Sequence, residues 1–431
     1  MAMIVNVLKG CGVSHISYFV VLWVELYLIQ QVKSISFLRI NKTLMNPSKI
    51  RSRVALVACS AYDESSVQAA IQRGIDLLGG MAAFIHPGEK IVLKPNVLAG
   101  DAPEKLVGPH PLVFKAVARL AQAVTPHVSY GDSPGFARPL GQMRKAGLAK
   151  AAAELDIPLA DFENGREVQL KDSPFIQHFI LANGVLDADG LISIAKFKTH
   201  GLTRLTGAIK NQFGCIPGPL KAEFHIKLPD PVDFAKMLVC LNLLIRPRLY
   251  IMDGITAMQG NGPRSGDPMD LGVLLFSSDP VALDAVMARI VDLDPEFVPT
   301  LKPGYEWGLG TYLADEIELL GDPLEQFVKK DFKVVRAPVR PASKSRFMPL
   351  IKRLVSPRPV IDPSLCNQCG TCVRVCPVTP KAIDWRSGSK TVPPTYDYDL
   401  CIRCFCCQEL CPDRAISVTT PLLGRLFQPR G

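Results

Sequence analysis

The sequence lacks both glycine motifs that most often bind nucleotide phosphates. No Gly-Lys-Ser/Thr ends the glycine-rich stretch at residues 260–266, which we interpret as a flexible loop with one Arg. No Gly-x-Gly-x-x-Gly opens a helix after the first predicted strand. These absences exclude a Walker A site and a Rossmann dinucleotide site, because both need such glycines to bring backbone N–H groups onto phosphate. We therefore expect no nucleotide cofactor.

A long apolar run and a clear secretion signal are also lacking. Residues 18–29 are strongly apolar, but Glu25 interrupts them and they are short for a membrane span. No clear small-residue cleavage site follows. Met45 begins a more ordinary N-terminus shortly before the first predicted strand. We expect residues 1–45 to be an extension upstream of the natural start, with a weak membrane anchor as the alternative, and we expect a cytoplasmic protein.

Acidic residues are nearly missing between residues 329 and 358. This stretch has one acid, Asp331, and ten Lys or Arg. Its net charge of +9 therefore equals the formal net charge of the whole chain. Because prolines recur through it, we interpret residues 326–360 as a basic, Pro-rich linker. The linker either packs on its neighbours or makes a weak contact with a membrane surface or an acidic partner. Nucleic-acid binding is not expected, since no aromatic–basic interleaving or recognised fold accompanies the charge.

Cysteine, in contrast, is concentrated near the C-terminus. Eight of the 13 cysteines form two runs of Cys-x2-Cys-x2-Cys-x3-Cys-Pro, the pattern of bacterial ferredoxins. Thiolates are soft, anionic donors that bind iron well, and the short gaps let three sulfurs surround one corner of a cubane cluster. The runs are Cys366, Cys369, Cys372 and Cys376, followed by Cys401, Cys404, Cys407 and Cys411.

These runs predict two [4Fe-4S] clusters with exchanged fourth ligands. In such proteins the fourth Cys of each run binds the other cluster, so that Cys411 completes the first site and Cys376 the second. Zinc knuckles would not need the repeated x3-Cys-Pro ending, and disulfides are not expected without a secretion signal. Cys406 fits neither run and is expected to be a packing thiol.

Most of the remaining chain alternates between strand and helix patterns, which predicts an α/β domain with a mostly parallel sheet. The predicted strands are Val54–Ala58, Lys90–Leu93, Val128–Tyr130, Leu191–Ile194, Leu249–Met252 and Val273–Phe276. The predicted helices cover residues 65–79, 111–124, 139–154, 231–244 and 280–292. Asp230 and Asp279 each precede a Pro, as N-terminal caps do.

Polar residues follow the predicted strands, where parallel α/β sheets bind their ligands. They form the segments 94–96, 131–135, 196–200, 253–254 and 277–279. Residues 195–225 are densest in Lys, His and Gly, which favour an anion such as a carboxylate or phosphate. We expect His200, Lys198 and Asp132 to be catalytic. We expect an anionic substrate to contact Lys94, Asn96, Ser133, Lys196, Lys210 and Asn211.

Three interpretations of His200 remain open at this point. Its pKa can lie near neutrality, so it could supply a proton, with Asp132 or Asp253 orienting it. It could instead be a structural hydrogen-bonding residue, or it could hold a metal together with His225, although no standard ligand spacing supports that reading.

Six motifs follow one another along the chain: Lys94–Asn96, Gly131–Gly135, Lys196–His200, Thr206–Asn211, Gly260–Pro263 and Asp279–Asp284. Together and in this order they resemble the domain-of-unknown-function 362 family, whose members often carry a C-terminal pair of [4Fe-4S] motifs. The resemblance covers residues 53–320, extends to about 417 with the cysteine runs, and implies an architecture but no reaction.

The sequence thus predicts an α/β domain at 50–325, a linker, a small ferredoxin-like α+β double-cluster domain at 361–417 and a tail at 418–431. Our leading hypothesis is an iron–sulfur oxidoreductase that takes electrons from a redox partner protein and reduces an anionic substrate. Whether the protein is an enzyme stays open. The alternatives are an electron carrier that docks larger redox complexes and an isomerase-type enzyme with structural clusters.

Overall fold

The computed structural model describes residues 51–135, 137–218, 220–339, 356–385 and 388–421, which belong to one compact unit. We call residues 51–339 the α/β part and residues 356–421 the C-terminal part. The proposed N-terminal extension, the middle of the basic linker and residues 422–431 of the tail lie outside the described residues.

The α/β part contains ten strands among the described residues. In chain order they are β1 (Ser52–Ala58), β2 (Ile91–Pro95), β3 (Val128–Tyr130), β4 (Gly165–Gln169), β5 (His178–Ala182), β6 (Gly190–His200), β7 (Arg204–Thr206), β8 (Leu249–Gln259), β9 (Asp267–Ser277) and β10 (Ile317–Gly321). Eight of them form one sheet, in the order β10-β1-β9-β8-β6-β2-β3 with β7 paired to β6, and β4 and β5 form a separate hairpin. All six predicted strands are present.

The sheet is mostly parallel but mixed. Strands β8, β6, β2 and β3 run parallel, and so do β1 and β10. β9 runs antiparallel to both of its neighbours. Residues 260–266 are too short a connection for a parallel crossover, which needs a dozen or more residues, so that β8 and β9 form a hairpin.

The direction of β9 corrects one prediction about the site. Because β9 is antiparallel, residues 277–279 lie at the opposite edge of the sheet from the ends of β2, β3, β6 and β8. Asp279 accepts a hydrogen bond from Ser52 Oγ, at the start of β1 (2.5 Å). Residues 277–279 are therefore no part of a site at the carboxyl edge.

The helices cover both faces of the sheet, and their ends follow the predicted caps. Asp230 accepts from Val232 N, and Asp279 accepts from Val281 N. The α-helices of the described residues are α1 (Glu64–Leu77), α2 (Pro111–Gln122), α3 (Pro139–Lys145), α4 (Leu148–Ala153), α5 (Asn183–Leu186), α6 (Ala208–Asn211), α7 (Leu220–Lys227), α8 (Pro231–Ile245), α9 (Pro280–Ile290), α10 (Leu301–Glu306), α11 (Thr371–Val375) and α12 (Cys406–Glu409).

One predicted helix, at 139–154, is two helices. The chain turns between α3 and α4 at Gly147, whose φ of 73° lies in the left-handed region that glycine tolerates best. The other four predicted helices are present, with bounds that differ by a few residues.

Two apolar layers sandwich the sheet. Along β1, Val54 and Leu56 point into one layer, whereas Ala55 and Val57 point into the other. Strands buried on both faces are expected of a sheet with helices on each side. No helix among the described residues combines the length and the apolar content that crossing a membrane requires.

The C-terminal part is small and built around its cysteines. Strand β11 (Arg358–Ile361) pairs with β14 (Ile416–Thr419), and β12 (Ile383–Asp384) pairs with β13 (Thr395–Tyr396), both antiparallel. The short helices α11 and α12 each carry the third cysteine of a run, Cys372 and Cys407. The fold class is thus the predicted one: an α/β part followed by a small cysteine-rich part.

Candidate functional site

Four cysteines surround each of two small voids in the C-terminal part. The grouping is crossed between the runs: Cys411 completes the first set and Cys376 the second. Aliphatic side chains line part of the rest of both voids, and two aromatic side chains, Tyr396 and Phe405, line the second. The sets are Cys366, Cys369, Cys372 and Cys411, and Cys376, Cys401, Cys404 and Cys407.

The donor chemistry of both sets fits an iron–sulfur cubane, because four soft thiolates in a largely apolar shell are its usual ligands. Cys406 lines neither void. Among the described residues, no three His, Cys, Asp or Glu side chains group as a single-ion site would require. The metal alternative for His200 and His225 therefore gains no third ligand there.

A cavity of about 730 Å³ lies between the α/β part and the C-terminal part. We call it the basic cavity. Six of the predicted site residues line it: Asn96, Asp132, Ser133, Lys198, Lys210 and Asn211. From the other side it is lined by Cys376, which belongs to the second cysteine set, and by Cys406. The carboxyl edge of the sheet thus faces the cluster-binding part directly.

The β8–β9 hairpin holds the two parts together. Gln408 Nε2 donates to Asn261 O at 3.0 Å and to Gly262 O at 3.1 Å. Arg264 forms a bidentate pair with Asp101, at 2.8 Å for both contacts, and donates to Leu410 O at 2.6 Å. The loop at residues 260–266 therefore positions helix α12 against the cavity.

Lys94 lies behind the cavity wall. Its Nζ is 2.8 Å from Asp132 Oδ1 and donates to Asn211 Oδ1 at 2.9 Å. Asp132 Oδ2 accepts from Val97 N at 2.8 Å. A Cβ at Gly214 would lie 1.9 Å from Asp132 Oδ1, so the absence of a side chain there lets the loop pass over the pair. Lys94 is therefore placed to orient Asp132 and Asn211 rather than to reach a ligand.

Two hydrogen bonds hold the ammonium group of Lys198 at the cavity. Its Nζ donates to Asn96 Oδ1 at 2.7 Å and to Val107 O at 2.5 Å. Burial, and then the charge of Lys210, lowers the pKa of Lys198 to about 7. Lys221 is similar: it donates to two carbonyls, and burial lowers its pKa to about 7. Both ammonium groups can therefore hold or release a proton near neutral pH.

His200 is separated from the cavity by Glu409 of helix α12. Leu202 N and Thr203 N lie 3.0 and 3.3 Å from His200 Nδ1, which accepts from both, so the ring proton is on Nε2. Nε2 lies 3.0 Å from Glu409 Oε1. Burial, and then the charge of Lys210, lowers the pKa of His200 to about 4, so the ring is neutral at neutral pH. Direct proton transfer from His200 to a ligand stays a prediction that the lining of the cavity does not favour.

Lys196 belongs to a different network. Its Nζ is 3.0 Å from Asp253 Oδ2 and donates to Tyr62 OH at 2.6 Å. Tyr62 OH donates in turn to Asp253 Oδ1 at 2.8 Å, and His110 N donates to Asp253 Oδ2 at 2.8 Å. Lys196 does not line the basic cavity, and the substrate contact predicted for it is not supported.

Sequence reasoning assigned no role to Lys221 or Glu409, both of which line the cavity. Lys221 and His225 are one turn apart on α7, a spacing that places two side chains on one face. Glu409 carried a weaker signal: an acid two residues after a cluster cysteine.

Two family comparisons cover most of the described chain. The sequence matches the domain of unknown function DUF362 over residues 91–289 and a 4Fe-4S dicluster domain over residues 358–412. A thylakoid-associated protein of Synechocystis sp. is 37% identical over 276 residues, which are 64% of this chain and 85% of that protein.

Among solved structures, the lactate racemase apoprotein from Thermoanaerobacterium thermosaccharolyticum aligns with a TM-score of 0.38 and 11% identity, over 58% of this chain and 59% of that one. A protein from Thermotoga maritima aligns with a TM-score of 0.32 and 12% identity, over 50% and 56%. The chain thus spans less than two thirds of either structure. From its family matches and its Synechocystis relative, the chain belongs to the DUF362 family, and it ends in a 4Fe-4S dicluster domain that binds iron–sulfur clusters.

Proposed function

We propose that this protein is an iron–sulfur oxidoreductase that passes electrons singly to an anionic substrate in the basic cavity. One observation carries the proposal: the same cavity is lined by Lys198 and Lys210 on one side and by Cys376, a predicted cluster ligand, on the other. A substrate held by the lysines therefore lies beside the second cluster site.

The chain's own residues support binding and proton supply. Lys198, Lys210 and Lys221 give the wall a positive character, which favours an anion. When bound, the clusters supply low-potential electrons one at a time. Reduction of a carbonyl to an alcohol consumes two electrons and two protons. Lys198 and Lys221, whose pKa values burial lowers to about 7, are suited to release protons at neutral pH.

Electrons enter, in this proposal, from a redox partner protein at the first cluster site. Cys369 of that set is exposed, whereas Cys372 and Cys411 are buried. We also propose a cytoplasmic protein whose basic linker touches a membrane surface, an idea to which the thylakoid-associated relative adds weight. Fractionation of cells into cytosol and membranes, at low and high salt, tests the location.

The function is tested by reoxidation of the reduced protein. Anaerobically purified protein is reduced with dithionite, freed of excess reductant and mixed with a panel of small carboxylates, phosphates and carbonyl compounds. We expect one class to restore the absorbance of the oxidised clusters, and Lys210→Met to slow this step by about tenfold or more through loss of a charged contact. Lys227→Met, which removes an exposed lysine of α7, is the matched control.

Two results count against the proposal. In one, no compound reoxidises the clusters faster than buffer while a redox protein does so, which makes the chain an electron carrier. In the other, Lys210→Met and Lys227→Met behave alike.

A further inference from the structure

Three polar groups in the wall of the basic cavity have no partner among the described residues. Thr206 Oγ1 and His225 Nδ1 are buried and make no hydrogen bond, and their residues are 3% and 7% exposed. Lys210 makes no hydrogen bond or ion pair with any described residue. Buried polar groups are nearly always satisfied, so Thr206 Oγ1 and His225 Nδ1 beside a cavity indicate a missing ligand, and the half-buried Lys210 adds a positive charge to the same wall.

The three groups have the chemistry of one anion site. A lysine ammonium and a threonine hydroxyl both donate, and a neutral imidazole can present an N–H at Nδ1. The imidazole of His225 is held in place by its stack on Phe234, with the ring centroids 4.7 Å apart. A carboxylate offers two oxygens with about four lone-pair positions, enough for three such donors.

The wall carries charges of both signs. Asp132, Glu163 and Glu409 line the cavity, and their carboxylates repel a dianion such as a phosphate monoester more than a carboxylate. The lining cations outnumber these acids, which favours an anion over a neutral ligand; they are Arg138, Lys198, Lys210, Lys221, Arg374 and Lys381. A monoanion also costs less to desolvate than a dianion, which favours a carboxylate where apolar side chains line the cavity.

Much of the rest of the wall is apolar. Its apolar side chains include Leu98, Phe162, Phe213, Val375 and Leu410. A cavity of about 730 Å³ is far larger than a carboxylate alone needs and lies in the range of sites for drug-sized ligands. The occupant must therefore cover apolar surface as well as meet the three donors.

We propose that the basic cavity binds an organic monocarboxylate with an apolar body, its carboxylate held by Lys210, Thr206 and His225. The assignment rests on the proposed function, because it names the substrate class of the same site. The body extends along the apolar side chains toward Cys406 and Cys376, which places the far end of the ligand beside the second cluster site.

Binding of hydrocinnamate to the full-length, cluster-loaded protein tests this assignment by anaerobic calorimetry. We expect measurable binding, weakened about tenfold or more by Lys210→Met and roughly fivefold by Thr206→Val. Lys227→Met leaves the affinity unchanged. Hydrocinnamamide, the neutral isostere, and inorganic phosphate, an anion without an apolar body, bind at least about tenfold more weakly than hydrocinnamate.

The proposal is overturned if the amide or phosphate binds as well as hydrocinnamate, if hydrocinnamate does not bind, or if Lys210→Met has no effect on its affinity. These results are separate from a failure of the proposed function. Carboxylates that bind without any compound reoxidising the clusters leave the ligand class standing and remove the redox role. If only uncharged compounds reoxidise the clusters, and Lys210→Met does not affect the rate, the redox role stands and the ligand class is wrong.

Discussion

Lys196 and Lys210 come from the same basic stretch of sequence, yet the structure uses them in opposite ways. Lys196 is 1% exposed and is met by Asp253 and Tyr62, so its charge is balanced inside the protein. Lys210 is half-buried and meets no partner among the described residues. The residue type is the same, and the difference lies in whether the fold supplies the counter-charge.

This contrast separates a structural network from a binding site. A buried ion pair is strongly destabilised when one partner is removed, because the other charge stays behind unpaired. An unpartnered cation in a cavity wall contributes no such pair, and burial lowers the pKa of Lys210, which means that the folded state disfavours its charge. Changes in the Lys196 network should therefore affect mainly folding stability, and changes at Lys210 in the cavity wall should affect mainly ligand binding.

The largest effect is expected from Asp253→Asn. This change leaves Lys196 without its carboxylate and weakens the acceptor for Tyr62 and His110. We expect the thermal midpoint of the cluster-loaded protein to fall by about 6 °C or more, since breaking a buried pair costs about 3 to 5 kcal/mol. Differential scanning fluorimetry measures the shift.

Asp267→Asn provides the matched control, because Asp267 pairs with Lys333 at 3.1 Å on the surface, where both side chains are more than half exposed. It should move the midpoint by less than about 2 °C. A similar shift for the two variants would show that the Lys196 network is no more structural than a surface pair.

The second effect concerns pH and Lys198. Its folded pKa of about 7 lies below the ordinary value of 10.5. Above pH 7 the folded chain releases a proton that the unfolded chain still holds, so raising the pH favours the folded state; below pH 7 both states keep the proton. The difference in thermal midpoint, Lys198→Met minus wild type, should therefore fall from pH 7 to pH 9. A constant difference would contradict the lowered pKa, and Lys227→Met should show no such trend.

Much of the fold that holds Lys196 and Lys210 in place was predictable from the sequence. Local patterns located all six predicted strands and the Asp–Pro helix starts, because alternation and capping act over a few residues. The direction of β9 was missed, since it depends on which strand pairs with which. Glu409 could not be linked to His200 from the sequence, because two hundred residues separate them and only the docking of helix α12 brings them together.

The different environments of Lys196 and Lys198 were also hidden. Strict alternation along a strand places Lys196, Lys198 and His200 on one face. The pairing of β6 with β8 jumps, however, from Lys196 opposite Asp253 to Lys198 opposite Met258. Because of this irregularity, Lys196 pairs with Asp253 while Lys198 reaches the cavity. The residue types at these positions do not predict the irregularity.

The third effect is a modest gain in stability from Lys210→Met. Removal of a cation that burial disfavours, with no ion pair to break, should raise the thermal midpoint by about 1 to 3 °C while it weakens hydrocinnamate binding. Calorimetry and fluorimetry on the same preparation report both quantities. A drop in the midpoint together with lost binding would mean that Lys210 supports the fold, and the contrast with Lys196 would fail.

The smallest effect distinguishes two buried threonines on neighbouring strands. Thr199 Oγ1 donates to Gly260 O at 3.1 Å and accepts from Gly262 N at 3.2 Å, whereas Thr206 Oγ1 has no hydrogen-bond partner among the described residues. Replacing a bonded hydroxyl by a methyl leaves its partners unsatisfied and costs about 1 to 2 kcal/mol, but replacing an unbonded one removes an unmet group. Thr199→Val should therefore lower the thermal midpoint, and Thr206→Val should leave it unchanged or raise it slightly. If Thr206→Val destabilised the protein as much as Thr199→Val, its hydroxyl would have a protein partner, and the anion site would lose one of its three donors.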